Sequence, residues 1–568
     1  MSCVIMINLD SKEESMRKRT LIFLVLILLS IIFVIQNLEA SKDALLRTAK
    51  SKVFTKSVVS ASGKTLYVDK TWGDLIITGG QQNEISIKAV VDVGDTDEEF
   101  LEEFLARTEL ILEPYRQGFR LQLLSPRDDM DEKDKSDFAQ FFRKIFRSGK
   151  YRFSFSTEIE IRIPSKQSLD IKNAYGDIDI KDITGTLIVE NRSGEVRIKN
   201  CGGELELQNS YAQVEINDFN GPIDVKNSSG AIVLSNIVGK AEIQNSYKSV
   251  EFDQIGGALT VISHSSDVKG SDVKGDCDIT TSYKEIKVGG IQGTLKINGS
   301  SCTISVDRVE KDAEIESSYK PVRVVDVGGY LRYRGQSSSV TVMDVVKDVS
   351  IRSSYKEITV DRVGGSLDVD GSSCPVTARD VKGNTIILSS YKDILVERVD
   401  GKLEIRTHSG SVTVDRVEKD VTIRSSYRPI QVKHVGGGLE VDGSSCSVTA
   451  DDVAGDVNIT NSYNYVILKR TSGSIIVQGS SSPIEVTQIK NLPKEGQVEL
   501  ITTYKPILFH LPKSANVIIS ASTSYGKIHS DFPVYIDKED ENKIRIELGE
   551  GQTAVNLKTS GNITIKKD

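Results

Sequence analysis

The feature that most constrains this chain is a tyrosine that returns every 36 residues without one insertion. The recurring tyrosines are Tyr175, Tyr211, Tyr247, Tyr283, Tyr319, Tyr355, Tyr391, Tyr427 and Tyr463. A serine lies midway between them each time, at 18 residues, from Ser193 to Ser481. Loops of a globular enzyme drift in length, whereas a register held this strictly indicates identical units stacked along an axis.

The repeating unit is an 18-residue coil, and residues Gln167 to Lys490 divide into 18 such coils, numbered 1 to 18 below. Coil position 12 is Val or Ile in every coil, and position 5 is aliphatic in every coil except at Tyr333. Position 14 is apolar except at Gly270, position 17 except at Thr471, and position 3 is mostly Leu. This is period-2 alternation in two short strands rich in β-branched residues, broken by Gly, Ser and Asp.

Strands this short cannot stand alone, so each must pair with its counterpart in the next coil. The sequence therefore predicts an all-β protein whose main part is a right-handed parallel β-solenoid, in line with the usual crossover hand. Inward positions 3, 5, 12, 14 and 17 do not follow the six-residue period of a left-handed hexapeptide β-helix, which excludes that fold. At about 4.8 Å per coil, the 18 coils would stack over roughly 85 Å.

The two ends of the chain depart from the repeat. We expect a signal segment over residues 1–40, a small strand-helix head and cap over 41–166, the solenoid over 167–513 and an irregular β cap over 514–568. In the head, Leu66-Tyr-Val68, Leu75-Ile-Ile77 and Ile85 to Lys88 resemble strands, and Asp95 to Leu112 has the pattern of an amphipathic helix. The aromatic and basic segment 138–150 predicts either a membrane-surface helix or a cap on the first coil.

The N-terminus carries an export signal. Arg17-Lys-Arg19 precedes an apolar run from Leu21 to Ile35, interrupted by Ser30. The run is short for a spanning helix, and Leu38-Glu-Ala40 is a poor cleavage site, so an uncleaved signal anchor and a cleaved signal peptide both stay open. Either places the solenoid on the extracytoplasmic side of the cell membrane, with the N-terminal helix as the membrane contact; the start could be Met1 or Met16.

Composition and cysteine positions exclude several functions. A net charge of −8 with no basic domain gives no indication of a nucleic-acid partner. Cys302, Cys374 and Cys446 share position 10 and lie four coils apart, about 19 Å, which is too far for disulfides. No metal site and no cofactor is expected, because the cysteines lack paired spacing and a neighbouring His.

No catalytic centre is predicted either. Outward acidic residues are spread along the repeat, and pairs such as Asp361-Arg362 recur from coil to coil, whereas a reaction centre would occur once. His264, His408, His434, His510 and His529 share no evident site.

The surface with the most chemical promise follows the tyrosines. A basic residue comes directly after six of them, which defines the Tyr–Lys ladder: Tyr247, Lys248, Tyr283, Lys284, Tyr319, Lys320, Tyr355, Lys356, Tyr391, Lys392, Tyr427 and Arg428. Tyr rings could stack on sugar faces while cations pair with carboxylates or phosphates of an anionic glycan. In the alternative interpretation the tyrosines only fill a wide corner and the lysines remain solvated.

The chain resembles a bacterial family of adhesin-like β-solenoid proteins of unknown function. The resemblance rests on the N-terminal anchor and strand-helix head (Leu66 to Leu112), on units such as Gly185 to Ile198, and on a tail containing His529 to Pro533 and Gly549-Glu-Gly551. It implies an envelope-exposed solenoid and no particular activity.

We therefore expect a non-enzymatic, exported solenoid that acts as an adhesin, an envelope scaffold or a ligand-display surface, with anionic glycans or envelope proteins as partners. The alternatives are a polymer-forming structural solenoid, a polysaccharide-active enzyme and an accessory of envelope-stress signalling. The sequence gives no indication of the oligomeric state.

Overall fold

The computed structural model describes residues 49–60, 63–94, 98–126, 153–536 and 542–568. The chain divides into two compact units, residues 1–185 and residues 186–568. The predicted signal segment and the amphipathic segment 138–150 lie outside the described residues. Within the described ranges, no helix has the length and apolar character that a membrane crossing requires.

The first unit combines nine strands with one helix among its described residues. The helix spans Glu98–Arg107, and the strands are Ala49–Val59, Thr65–Thr71, Asp74–Gly80, Glu84–Gly94, Glu109–Tyr115, Gly118–Leu124, Ser154–Pro164, Ser168–Asn173 and Ile178–Lys181. The predicted apolar face of the helix is confirmed, because Phe100, Leu101, Phe104 and Leu105 are buried.

The helix is shorter than the sequence pattern predicts. The Thr108 hydroxyl donates to the Phe104 carbonyl at 2.8 Å where the helix ends. Residues Glu109–Tyr115 then pair antiparallel with Gly118–Leu124. The apolar residues at 110 and 112 also fit the helical pattern. Their antiparallel strand pairing outweighs the local helix propensity of this segment.

An early coil of the first unit is inserted between two later ones. Strand Thr65–Thr71 lies between Gly118–Leu124 and Ser168–Asn173, parallel to both. Strand Asp74–Gly80 lies in the same way between Ser154–Pro164 and Ile178–Lys181. Two antiparallel strands, Glu84–Gly94 and then Ala49–Val59, extend the second of these sheets.

The second unit is a parallel β-solenoid in which each coil contributes one strand to each of two sheets. Sheet 1 holds the strands that begin at coil position 3, and sheet 2 holds those of the second half of each coil. The sheet 1 strands are Leu187–Asn191, Leu205–Asn209, Ile223–Asn227, Ala241–Asn245, Leu259–Ser263, Cys277–Ser282, Leu295–Ser300, Ala313–Ser318, Leu331–Gln336, Val349–Ser353, Leu367–Gly371, Thr385–Leu388, Leu403–Arg406, Val421–Ser425, Leu439–Gly443, Val457–Tyr463, Ile475–Ser481, Gln497–Ile501, Val517–Thr523, Tyr535–Ile536, Lys543–Leu548 and Thr553–Thr559.

The sheet 2 strands are Val196–Gly202, Val214–Asn220, Ile232–Ile237, Val250–Ile255, Val268–Val273, Glu285–Ile291, Thr303–Val309, Val322–Val327, Val340–Val345, Ile358–Val363, Val376–Val381, Ile394–Val399, Val412–Val417, Ile430–Val435, Val448–Val453, Val466–Thr471, Ile484–Thr487, Ile507–Leu511, Ile528–Ser530 and Ile563–Lys567.

Neighbouring coils pair in register, so equivalent residues stack on one another. Val360, for example, pairs with Val342 on one side and Ala378 on the other. The residues at positions 3, 5, 12, 14 and 17 of coils 2 to 18 are buried, apart from the predicted exception Gly270. The predicted parallel β-solenoid with 18 residues per turn is confirmed.

Sheet 2 contains a left-handed residue in every coil, at position 16. Asp182 in the first unit has φ +60°, and the second unit continues the series from Asn200 at +52° to Gln488 at +55°. Strand pairing passes over this residue, as where Lys199 pairs with Asn217 and Cys201 with Phe219. The extra residue bends each strand before position 17 turns inward.

At its C-terminal end the second unit repeats the inserted-coil arrangement. Strand Thr553–Thr559 lies between Gln497–Ile501 and Val517–Thr523, parallel to both. Strand Ile563–Lys567 lies likewise between Ile507–Leu511 and Ile528–Ser530. The tail was predicted to be an irregular cap, yet residues 553–567 form a regular coil, and the antiparallel strand Lys543–Leu548 covers the last sheet 1 edge.

Candidate binding surface

The Tyr–Lys ladder lies at the corner that joins sheet 1 to sheet 2, at coil positions 9 and 10 of odd-numbered coils. Its six tyrosines are between 58 and 69% exposed, and all six cations are exposed. Because the ladder residues recur in every second coil, successive rings lie about 9.6 Å apart. The corner therefore presents a row of solvated rings beside a row of charges.

The interior of this corner is filled without the tyrosines. The side chain at position 7 of each odd-numbered coil is buried, and in most of these coils it bonds to main-chain carbonyls. Asn245 Nδ2 donates to Lys248 O at 2.8 Å and to Gly230 O at 3.2 Å. Ser317 Oγ donates to Gly299 O at 2.7 Å in the same position of coil 9. The rings are thus not needed to fill the corner.

Three ladder tyrosines hold a backbone conformation that aromatic residues seldom adopt. Tyr283, Tyr319 and Tyr355 have φ of 69°, 71° and 73°. Left-handed geometry costs a non-glycine residue roughly 1–2 kcal/mol, and Gly or Asn would tolerate it better. Strain of this kind concentrates at functional positions.

The ladder cations have no ion-pair partner within the part of the chain that the structure describes. Three acidic residues directly follow ladder cations, Glu285, Glu357 and Asp393, and two of them are engaged elsewhere. Glu285 pairs with Lys269 at 2.9 Å. Asp393 accepts hydrogen bonds from the hydroxyl and amide of Ser411, at 2.6 and 3.1 Å, and these bonds hold the pKa of its carboxyl below the usual range.

One interval between ladder tyrosines contains a ring of the chain itself. The His408 imidazole makes edge contacts with both neighbours, at 6.1 Å to the Tyr391 ring and 5.2 Å to the Tyr427 ring. His408 occupies position 8 of coil 14. The intervals between successive ladder tyrosines are called notches below.

A groove runs along sheet 1 beside the notches of coils 8 to 12. Its volume is about 600 Å³, and positions 6 to 8 of these coils line it. Arg334 and Arg352 are neighbours in this groove, each more than half exposed. Their acidic partners Glu316 and Asp368 lie at 3.9 Å, which is the distance of a loose pair.

The cysteine column lies beneath the same corner. Cys302, Cys374 and Cys446 are fully buried, and burial raises the pKa of each thiol. Cys277, at core position 3, has its pKa raised to about 12 by burial. In the described ranges, no three His, Cys, Asp or Glu side chains are grouped to hold a metal ion.

The recurrent acid–base pairs of sheet 2 mostly connect neighbouring coils. Arg398 bonds to Asp380 of the preceding coil at 2.8 Å, and Arg379 bonds to Glu397 of the next at 2.6 Å. Arg362 bonds to Asp344 at 2.8 Å and also to its neighbour Asp361. These are exposed stacking contacts, each of small value to stability.

Known proteins match the repeat in part. Residues 129–321 match the family model Toastrack DUF4097. This stretch is similar to the toastrack family. The resemblance to adhesin-like proteins of unknown function is thereby confirmed. No curated protein matches the chain significantly.

A solved structure is also similar: the putative cell adhesion protein from Clostridium sporogenes ATCC 15579, at 8% identity over 91% of this chain and 100% of that one. Its TM-score of 0.13 carries no argument about the present chain. A β-solenoid with this similarity is consistent with a non-catalytic surface protein.

The sequence located the ladder but not the residues around it. Arg334 and Arg352 at position 6, and the residues at position 8, line the groove that flanks the tyrosines. Period-2 alternation from the buried position 5 would have placed position 6 outward. His408 was predicted to share no site, whereas its ring joins two ladder tyrosines.

Proposed function

We propose that this chain is an exported, membrane-tethered, non-catalytic β-solenoid that binds an anionic glycan along the Tyr–Lys ladder. The observation that carries the proposal is the juxtaposition of solvated rings and exposed cations along one corner. Nothing in the interior of the fold requires these rings, and three of them are held at unfavourable φ.

The chemistry of the corner favours a glycan over a compact ligand. A tyrosine ring offers a flat apolar face to the C–H face of a sugar, and an ammonium group pairs with carboxylate, sulfate or phosphate. Rings about 9.6 Å apart are close to the length of one extended disaccharide. An elongated polymer can therefore contact several tyrosines at once, and multivalent contact compensates for weak individual sites.

Export and tethering are proposed from the N-terminal sequence. The cluster Arg17-Lys-Arg19 before the apolar run from Leu21 to Ile35 favours a cytoplasmic N-terminus and an extracytoplasmic solenoid. Such a location would bring the ladder to the acidic polymers of a cell envelope.

The non-catalytic role is supported by how charge is distributed. Outward carboxylates of sheet 2 bond to arginines of adjacent coils, in the same way along the stack. General acid–base catalysis needs a local pair of groups in unlike environments, which a repeated exposed pattern does not supply.

Binding of the full-length chain to hyaluronan, polygalacturonate, lipoteichoic acid and neutral dextran would test the proposal. In a second protein, Lys284, Lys320, Lys356 and Lys392 become Ala. A control protein carries Lys287, Lys296, Lys311 and Lys347 changed to Ala, which removes the same charge from exposed positions off the ladder.

We expect binding to at least one acidic polymer and not to dextran, lost in the ladder variant and kept in the control. Equal loss in both variants would show a general charge effect and contradict the ladder as the binding face. Binding of no polymer would contradict glycan recognition and leave envelope proteins as the partner class to examine.

A further inference from the structure

Two observations on the ladder fall within coils 7 to 13, and histidines mark the coils at either edge. The tyrosines with left-handed φ are those of coils 7, 9 and 11. The groove that contains Arg334 and Arg352 extends over coils 8 to 12. The run of ladder lysines is longer and extends over coils 5 to 13: Lys248, Lys284, Lys320, Lys356 and Lys392. Histidines occur at position 8 just outside this range, in coils 6 and 14.

Position 8 of each even-numbered coil forms the floor of a notch. The Tyr283 amide donates to Ser300 O at 2.9 Å, and the Tyr319 amide donates to Gln336 O at 2.9 Å. These bonds fix the floors of the first two notches to the tyrosines that precede them. Ser300, Gln336 and Ser372 are exposed and line the groove, so three successive notches are open toward it.

His408 indicates what a notch accommodates. Its imidazole lies between two ladder rings at centroid distances of 6.1 and 5.2 Å, so one flat ring fits between them. His264 stands at the same position of coil 6, between Tyr247 and Tyr283, and its side chain is exposed. The three open notches thus lie between two notches whose floor carries a ring-bearing residue.

From this coincidence we infer that coils 7 to 13 form one delimited binding site for three consecutive disaccharides of an acidic polysaccharide. The inference rests on the proposed function and specifies its ligand. One sugar of each disaccharide enters a notch between two tyrosines, because alternate coils repeat at about 9.6 Å.

Acidic groups of the same polymer would meet cations on both sides of the notches. The lysines flank the tyrosines at position 10, and Arg334 and Arg352 occupy the groove at position 6. Guanidinium groups with only loose partners can form bidentate pairs with a ligand carboxylate or sulfate. The ligand class is therefore a polymer with one acidic group per disaccharide.

The test uses full-length chain and hyaluronan oligosaccharides of defined length, which carry one carboxylate per disaccharide. In the first variant Ser300 and Ser372 become His, which fills two open notches as His408 fills its own. The matched control, Ser444→His, places the same residue at position 8 of coil 16, outside the site.

We expect affinity to rise with each added disaccharide up to three and then to level off. The double variant should bind the hexasaccharide at least about tenfold more weakly, because it loses two contacts between a tyrosine ring and a sugar. Each such contact contributes enough binding free energy to change the affinity severalfold. Ser444→His should bind like the parent protein. In a further variant, His264→Ser with His408→Ser, the added notches should let octa- and decasaccharides gain affinity.

Unchanged hexasaccharide affinity in the Ser300→His, Ser372→His protein would overturn the notch site. If the lysine variant of the preceding section still lost binding, glycan recognition by the ladder would stand without the notches. A continuous rise of affinity with length beyond three disaccharides would also overturn the inference, because it would show a site without boundaries.

Discussion

At the scale of single residues, the corner separates side chains that hold the fold from side chains that face solvent. Val360 at position 14 is fully buried between Val342 and Ala378, whereas Lys356, four residues earlier, is exposed and unpaired within the described residues. Substitutions at these two nearby positions should therefore have very different effects on the stability of the fold.

Val360→Asp should disrupt the stack, because a carboxylate buried without a partner costs several kcal/mol. Lys356→Ala should leave folding intact, since it removes only a solvated side chain. Urea unfolding followed by circular dichroism checks both. An unchanged midpoint for Val360→Asp would show that the inward assignment of position 14 is wrong.

The buried thiols give a second residue-scale prediction. Burial raises the pKa of Cys277 to about 12 and that of the Cys302 thiol above its ordinary value, so the reactive thiolate is scarce near pH 8. In a Cys3→Ser protein, iodoacetamide should label none of Cys201, Cys277, Cys302, Cys374 and Cys446 while the chain is folded.

Mass spectrometry counts the labels, and unfolding in guanidinium should expose all five of these thiols. Rapid labelling of the native protein at Cys374 would contradict the buried corner, since the thiol would then have to reach solvent through local opening.

At the scale of the repeated element, position 16 of sheet 2 accepts a left-handed backbone in every coil. Gly290 takes this conformation at φ +65°, and Arg416 takes it at φ +61° with an exposed side chain. A residue at this point is selected by backbone geometry more than by packing.

Arg416→Gly should change the free energy of unfolding by no more than about 1 kcal/mol, because relief of left-handed strain offsets the greater freedom of the unfolded chain. Arg416→Val should destabilise by about 1–3 kcal/mol, since a β-branched residue is poorly accommodated at positive φ. Equal denaturation midpoints for the two variants would contradict the idea that the left-handed backbone at position 16 restricts which residues fit there.

A second repeated element connects odd-numbered coils to the coils that follow. At position 2, Asp276 accepts from the Thr294 amide at 2.8 Å, and Asp420 accepts from the Gly438 amide at 3.0 Å. These backbone hydrogen bonds lower the pKa of both carboxyls. Asn384 accepts from the Lys402 amide at the same position, so an amide oxygen can replace the carboxylate.

A folded pKa below the unfolded one means that the carboxylates stabilise the fold above the unfolded pKa, near 3.9. That stabilisation is lost as the pH falls through the lower, folded pKa. Changing Asp276 and Asp420 to Asn should therefore flatten the acid side of a stability–pH curve. A curve of unchanged steepness between about pH 5 and pH 2 would refute this account.

Position 16 also shows how far the sequence can be read. Most of the early coils carry Asp, Asn or Gly there, the residues that tolerate positive φ, and this signal was available. In later coils this position often holds an arginine, as at Arg308, Arg362 and Arg398, and the sequence there gives no indication of positive φ. Inward positions were predictable because burial imposes a strict period, whereas outward positions such as Arg334 carry no such constraint.

At the scale of the whole molecule, the least predictable feature is the order of coils at the ends. Strand Thr553–Thr559 pairs with both Gln497–Ile501 and Val517–Thr523. Its local sequence does not specify the first of these partners, which is the more distant one along the chain. Parallel strands of similar apolar pattern are nearly interchangeable as partners, so only the competition among complete arrangements decides their order.

The inserted coil leads to the last prediction, because it joins two coils that would otherwise not touch through hydrogen bonds. Val555 is 2% exposed within this strand, and Lys558 on its outer face is exposed. Val555→Asp should open the end of the second unit, whereas Lys558→Ala should not. In stacked repeats, stability depends on nearest neighbours, so the loss should remain local.

Hydrogen exchange followed by mass spectrometry would locate the effect. We expect protection to fall in residues 497–511 and 517–530 of the Val555→Asp protein, and to persist in coils 8 to 12, with Lys558→Ala matching the parent throughout. Loss confined to 553–567 would mean that the coils on either side can close on each other without the inserted one. In that case the C-terminal coil would be an accessory to the end of the stack, and the pairing of Gln497–Ile501 would have to be satisfied by Val517–Thr523 directly.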